Sequence, residues 1–464
     1  MRYDSTRGQA ASLGFEEVLL AGLASDGGLY VPGHWPALDA AEIAGLRGRG
    51  YAEVVAATMH RFIGAEMPLA EFSRLAADAY AGFDHKAVAP LKQLDHDLWL
   101  MELFHGPTLA FKDYALQLVG RLFDRALERR GEHLTIVGAT SGDTGSAAIE
   151  ACRTSARIDT FILFPKGRVS EVQRRQMTTA PGDNVHAIAV DGTFDDCQEL
   201  VKALFADAEL KRELGLSAVN SINWARIAAQ ISFYAFAVAA LGPPVAFAVP
   251  TGNFGNAYAA AAARWLGLPV ARVTIGANSN DALARLIATG VLERRAVTPT
   301  LSPSMDIQAP SNLERLLFEL FGRDGDEVRH RMNGFRASGR LELGAAAHAE
   351  IKRQFAAYAV DDAATLRTMR SVLEETGELI DPHTAVAVAA ARAVPRAPHI
   401  PTVVLATAHP SKFPDAVRRA TGRHPELPER LADLLDRPER VTEMGKDLSA
   451  LRAFLRGHAQ RAAA

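Results

Sequence analysis

The sequence predicts an α/β protein of two lobes, with parallel-type sheets flanked by helices and a helical N-terminal unit ahead of them. Three observations carry this. From Leu98 onward, short apolar runs alternate with amphipathic stretches at the spacing of strand–helix–strand units. The strand runs are continuously apolar rather than alternating, which suits strands covered on both faces. The length of 464 residues also exceeds one typical domain and favours a two-lobed chain.

Residues 1–90 read as the first unit. Phe15, Leu19, Leu20 and Leu23 share helical spacing, and Ser25-Asp26-Gly27-Gly28 stops that helix. Further helices are expected around 51–62 and 69–80. Nothing there has the spacing of a catalytic set, so a lid or packing role is expected. A core over 91–422 follows, with a smaller lobe nested at 113–220. Its strands are predicted at 98–101, 134–137, 160–164, 185–190, 245–249 and 403–406, with helices at 146–153, 171–177 and 257–266. Residues 322–369 read as a charged, peripheral helical elaboration with glycine-rich joints. Asp381-Pro382 opens a helix, with Asp as the cap and Pro in the first position. The tail, 423–464, is expected to be helical, with one stripe at Leu431, Leu434 and Leu435 and another at Leu448, Leu451 and Leu455.

Composition narrows the function. There are 51 basic and 54 acidic residues, a formal charge of −3, and no basic block, which argues against nucleic acid or an anionic membrane as partner. The two cysteines, Cys152 and Cys197, are too few for a structural zinc site and read as reduced packing thiols in a cytosolic protein. No metal site is expected. The apolar run 231–250 has about the length of a membrane span, but Gly242-Pro243-Pro244 breaks it into a buried helix and a core strand.

The chemistry is concentrated around Lys112. Gly106-Pro107 marks a turn, and apolar residues at helical spacing follow from Tyr114 to Phe123, so Lys112 falls at a helix N-terminus behind Phe111. That end of a helix disfavours a cation. Lys112 is therefore either solvated or held neutral, and a neutral, desolvated lysine is a nucleophile that forms a Schiff base with an aldehyde. Two turns tip the balance. Gly138-Ala139-Thr140-Ser141-Gly142-Asp143-Thr144-Gly145 and Pro250-Thr251-Gly252-Asn253-Phe254-Gly255-Asn256 each join a strand to a helix and present backbone N–H groups suited to an anion. Neither fits a nucleotide-binding pattern. One such turn alone is more often a plain helix cap. Two beside a candidate Schiff-base lysine supply one cup for a cofactor phosphate and one for a substrate carboxylate.

The segment 104–113, the two cups, Thr6-Arg7-Gly8, Asp26-Gly27-Gly28-Leu29, Ser221-Ile222-Asn223-Trp224-Ala225-Arg226, Ser304-Met305-Asp306-Ile307, Asp381-Pro382-His383-Thr384-Ala385 and Thr407-Ala408-His409-Pro410-Ser411-Lys412-Phe413 together resemble the threonine synthase family. The resemblance spans nearly the whole chain and implies a fold-type-II pyridoxal-phosphate enzyme of the tryptophan-synthase-β-like fold. It further implies a carbon–oxygen lyase that turns O-phospho-L-homoserine and water into L-threonine and phosphate. Lys112 would carry the cofactor and move the α-proton. Gly252, Asn253, Phe254, Gly255 and Asn256 would hold the cofactor phosphate, and Thr407 would face the pyridine nitrogen with an uncharged hydroxyl. Asp143 would lie beside the cofactor hydroxyl, where many relatives in the wider fold family have asparagine. Thr140, Ser141, Gly142 and Thr144 would bind the substrate carboxylate.

Asn223 and Arg226 are candidates for the substrate phosphate, with a structural salt bridge as the alternative for Arg226. His105, His383 and His409 read as hydrogen-bonded structural histidines, with proton shuttling as the alternative. A monomer acting on a small molecule in the cytoplasm is expected. A dehydratase acting on serine or threonine would need no site for a substrate phosphate. A non-catalytic cofactor-binding relative would keep Lys112 but turn over no amino acid.

Overall fold

The computed structural model describes residues 1–218 and 221–460. The end of the predicted smaller lobe (219–220) and the last four residues of the tail lie outside the described residues. The larger sheet has six strands in the order Phe355–Ala359, Val270–Ala277, Val245–Pro250, Thr402–Ala406, Leu98–Glu102 and Leu91–Gln93. All neighbours run parallel except the last pair. The smaller sheet has five parallel strands in the order Thr442–Met444, Val185–Val190, Ile158–Pro165, Leu134–Ala139 and Leu216–Ser217. All residues of Ile158–Pro165 and of Thr402–Ala406 are buried, so continuous apolar runs reported these strands correctly.

Three expectations change. Residues 322–369 are not wholly helical or peripheral, because Phe355–Ala359 forms the edge strand of the larger sheet. Its sequence, FAAYA, is rich in alanine, lacks branched residues and is half exposed, so it does not read as a strand. The tail is not wholly helical either. Thr442–Met444 pairs with Val185–Val190, and Leu431 lies in a single 3-10 turn, with Leu434 buried nearby and Leu435 exposed. Only the second stripe is a helix, Leu448–His458, burying Leu451 and Leu455. The first helix, Phe15–Ala21, stops before Leu23, which is exposed.

The apolar run resolves as predicted into the helix Trp224–Leu241, a turn at 242–244 and the strand Val245–Pro250. Among the described residues this is the one helix long and apolar enough to cross a membrane, and 83% of the apolar window is buried inside the protein. It packs against Tyr51–Ile63 of the N-terminal unit and against the helices Lys112–Arg130 and Gly255–Trp265. A hydroxyl pair, Thr58 to Ser232 at 2.9 Å, joins the first two of these helices.

The N-terminal unit acts through packing. Arg7 grips Glu314 through two hydrogen bonds of 3.0 and 2.8 Å, and Thr6 adds a third at 2.7 Å. The fully buried Arg315 next to it donates to Tyr30 O, Ile222 O and Asn312 Oδ1. Asn312 in turn donates through its backbone and side chain to Asn253 O, at 3.1 and 3.2 Å. Residues near the chain start thereby hold the second cup in shape.

Candidate active site

Lys112 is the first residue of the helix Lys112–Arg130 and stands at the carboxyl ends of the larger sheet's strands. Residues 106–113 cannot wander. Thr108 donates its N–H and hydroxyl to the buried Asp113 carboxyl at 2.8 and 2.6 Å. Phe111 N–H donates to Thr407 O at 2.9 Å, and His409 N–H to Leu109 O at 3.0 Å. The segment is thus zipped to the chain leaving the strand Thr402–Ala406. Leu109 adopts a left-handed backbone with φ 62°, a conformation that costs a branched residue about 1–3 kcal/mol. Burial pushes the Asp113 carboxyl up to about 6, against the pull of its Thr108 donors.

The side chain of Lys112 is only 12% exposed, and its Nζ lies 3.2 Å from Asp143 Oδ2 and 5.6 Å from the centre of the Phe111 ring. Burial lowers its pKa. Asp143 pulls it back up, and the charges of Lys412 and Arg226 push it down again. The surface-lysine alternative is therefore excluded: Lys112 is a desolvated amine with weakened basicity.

Asp143 begins the helix Asp143–Cys152 at the first cup. Burial alone would raise its pKa, but the ammonium groups of Lys112 and Lys412 hold it well below the carboxylate range. Gln173 Nε2 donates to its Oδ1 at 2.8 Å, and Ser304 Oγ to its Oδ2 at 3.2 Å. Thr140 shapes the cup, its hydroxyl oxygen accepting Gly142 N–H at 3.0 Å and Gly145 N–H at 2.9 Å. Gly142 has φ 138°, and a Cβ there would sit 2.4 Å from the Gln173 side chain. Only glycine fits. The side chains of Ser141 and Thr144 are partly buried at this cup.

The second cup caps the helix Gly255–Trp265. Phe254 takes the left-handed conformation with φ 65°, and the first helical bond runs from Tyr258 N–H to Phe254 O at 2.8 Å. The N–H groups of Phe254, Gly255 and Asn256 precede that bond and have no intrahelical acceptor. Asn256 itself is internal: its Oδ1 accepts from Thr251 Oγ1 at 2.6 Å and Ala257 N–H at 3.0 Å, and its amide donates to Pro250 O at 2.8 Å. Its side chain fixes the loop, so only its backbone remains for an anion.

Ser304 brings the cups together. Its Oγ reaches Asp143, and a Cβ on Gly252 would lie 2.7 Å from its carbonyl oxygen. Ser304 N–H donates to His383 Nε2 at 3.3 Å, which places the ring proton on Nδ1, facing Asp381 at 2.7 Å. His383 is accordingly a structural spacer. His105 bonds Glu102 at 2.7 Å and His409 bonds Ser411 at 2.7 Å. Both line a cleft of about 530 Å³ whose walls do not include Lys112.

We expect Gly252→Ala to weaken cofactor retention more than Gly255→Ala. The new methyl at 252 would meet Ser304 O at 2.7 Å and Met305 Cα at 3.0 Å, whereas at 255 the nearest atom is Asn312 Nδ2 at 3.3 Å. Overpacking of about 1–3 kcal/mol translates into roughly tenfold or more in affinity for the first variant. Equal dissociation constants by absorbance titration would remove this cup from the cofactor site.

Asn223 and Arg226 separate in the structure. Asn223 caps the helix Trp224–Leu241, accepting from Ala225 N–H at 3.0 Å and donating to Leu19 O at 2.8 Å. One amide N–H and the side-chain oxygen are thus committed to capping the helix and tying it to the N-terminal unit, a structural role beside the one expected at a substrate phosphate. Arg226 is 3% exposed, its Nε and Nη1 have no acceptor, and no carboxylate pairs with it among the described residues. Burial lowers its pKa to about 10. The salt-bridge alternative fails, leaving a buried cation without an anion. Lys412, Gln173 and Ser304 were missed as site residues. Lys412 and Ser304 lie inside motifs quoted for the resemblance, but burial of a lysine is not legible in a sequence.

The family model described as "Threonine synthase N terminus" matches residues 2–80, "Pyridoxal-phosphate dependent enzyme" matches 84–331, and "Threonine synthase, C-terminal" matches 384–455. The threonine synthase of Pseudomonas aeruginosa is 52% identical over 99% of both chains. The chain belongs to the threonine synthase family. A crystal structure of pyridoxal-phosphate-bound threonine synthase from Brucella melitensis superposes with a TM-score of 0.97 at 50% identity, covering 99% of this chain and 100% of that one. The yeast threonine synthase structure gives 0.93 at 36% identity, covering 98% of each chain.

Pyridoxal phosphate is the cofactor of this family, and the threonine synthase site described above fits it on its own evidence. A desolvated amine, free N–H donors at a helix N-terminus and a turn where any Cβ would collide are what an aldehyde bearing a phosphate requires.

Proposed function

We propose that this chain converts O-phospho-L-homoserine and water into L-threonine and inorganic phosphate, the last step of L-threonine biosynthesis. Arg226 carries the reading. A guanidinium buried beside Lys112 with two orphan donors is expensive to keep, and a substrate phosphate repays that cost with charge-assisted, two-pronged hydrogen bonds. A dehydratase acting on serine or threonine has no group to place there.

When bound, pyridoxal phosphate supplies the electron sink. The chain's residues supply the rest. Lys112, with its lowered pKa, takes the α-proton and later returns it. Asp143 steadies that amine, and the backbone N–H groups of Phe254 to Asn256 would hold the cofactor phosphate. The Ser141–Thr144 turn holds the substrate carboxylate. Thr407, buried at the end of the strand Thr402–Ala406, offers the pyridine nitrogen a hydroxyl without a charge. The atoms balance as one C–O bond broken at the γ-carbon and one made from water at the β-carbon. The proton lost at the β-carbon goes to the γ-carbon, and the water's proton leaves with phosphate.

The same reading places the enzyme in the cytoplasm as a monomer, and the two free, buried cysteines accord with a reducing compartment. The test is phosphate release from O-phospho-L-homoserine by the cofactor-loaded protein, with threonine identified as the organic product. Deamination of serine or threonine in place of phosphate release would overturn the reading.

A further inference from the structure

The site holds a second lysine that the chemistry above leaves without a role. Lys412 is completely buried, with an exposure of 0%. Its Nζ meets three acceptors: Thr108 O at 2.6 Å, Gln176 Oε1 at 2.9 Å and Asp143 Oδ1 at 3.0 Å. The first two are hydrogen bonds and the third is an ion pair; an ammonium, with three N–H donors and no lone pair, suits all three. A neutral amine there would turn its lone pair against an oxygen. Lys112, by contrast, has Asp143 as its one acceptor among the described residues. The surroundings thus tell the lysines apart: Lys412 is ringed by acceptors that suit a cation, and Lys112 has a single partner to give up.

The carboxylate between them is divided evenly. Oδ1 receives Lys412 and Gln173, while Oδ2 receives Lys112 and Ser304. We propose that Lys412 is a positioning residue for the reaction, a permanent buried counter-charge that fixes Asp143 and shares its negative charge, so that Lys112 is not locked into a full ion pair. It also ties the lysine segment at Thr108 to Gln176 in the smaller lobe's helix Glu171–Thr178. The other charged or titratable groups facing this cluster are Arg226 toward Lys112, His383 toward Asp143, and Asp113, which feels Lys412. The depressed pKa of Lys112 agrees in sign, with burial first, Asp143 opposing it, and Lys412 and Arg226 assisting.

The inference rests on the reading of Lys112 as the Schiff-base lysine, and its test separates the two. The measurement is the pH midpoint of the cofactor's absorption change in the loaded protein, read without turnover. Removing a like charge stabilises the protonated form at the Lys112 nitrogen, so Lys412→Met should raise the midpoint by about one pH unit. Asp143→Asn should lower it, and the double variant should return close to wild type, since both charges are gone. Gln176→Leu cuts one strap but no charge and should leave the midpoint in place. A Lys412→Met that fails to fold beside a double variant that folds would also support the proposal, because the fault would then be the uncompensated Asp143. An unmoved midpoint in Lys412→Met, or in Asp143→Asn, or a double variant that repeats Lys412→Met, would overturn it. Absence of any cofactor band in the wild type would instead overturn the reading of Lys112.

Discussion

Lys112→Ala is expected to leave a folded protein that no longer turns over substrate. The amine is the one group in the site with the position and the weakened basicity to carry the cofactor and the α-proton, so its loss removes both functions. Proton transfer by a placed side chain contributes about 10²–10⁴-fold, and that is the least expected drop in rate. The fold should survive, because the Lys112 side chain makes one ion pair and opens a helix whose packing lies elsewhere, at Tyr114, Leu118, Leu122 and Phe123. The variant also relieves the repulsion between Lys112, Lys412 and Arg226. Two readings check it: borohydride reduction followed by mass spectrometry, which should find no covalent cofactor, and circular dichroism, which should be unchanged. A reducible adduct and normal rates in Lys112→Ala would sink the assignment.

Arg226→Met should separate function from stability. In the free protein this guanidinium is buried with two orphan N–H groups, a situation that costs several kcal/mol and is often improved by an apolar residue of similar length. The variant should therefore melt at the same or a higher temperature than the wild type. Its kcat/KM for the phosphorylated substrate should fall steeply. Each charge-assisted hydrogen bond to phosphate is worth about 1.5–3 kcal/mol, or roughly 10- to 150-fold. Cofactor affinity should hold, since the free N–H donors of 254–256 belong to another element. A variant with wild-type KM would show that Arg226 faces no substrate phosphate. One that melts far below wild type would show that the cation is structural.

Much of the site's outline was legible because local chemistry and chain order write it directly. A glycine-rich turn between an apolar strand and a helix is visible in one dimension, so both cups and the helix start at Lys112 could be read in place. The same holds for Asp381, whose side chain accepts from His383 and Thr384 N–H as a capping residue should. The strand Phe355–Ala359 was invisible for the opposite reason. It is held by pairing with Val270–Ala277 at the sheet edge, and its alanine-rich sequence carries no strand pattern. Asn223 shows the same limit at a single residue: one of its amide N–H groups is committed to Leu19 O, some two hundred residues earlier.

By itself, the sequence determined the fold class, the family and the place of Lys112 at a helix start, because periodicity, turn residues and motif order are properties of neighbours along the chain. Only the tertiary structure decided which charges are paired. Lys112, Asp143, Lys412 and Arg226 come from four separate segments, and among the described residues Lys412 has three acceptors, Lys112 one, and two of the donors of Arg226 none. The ionisation of a buried group depends on desolvation and on charges a few ångströms away, and those distances exist only once the lobes have closed around them.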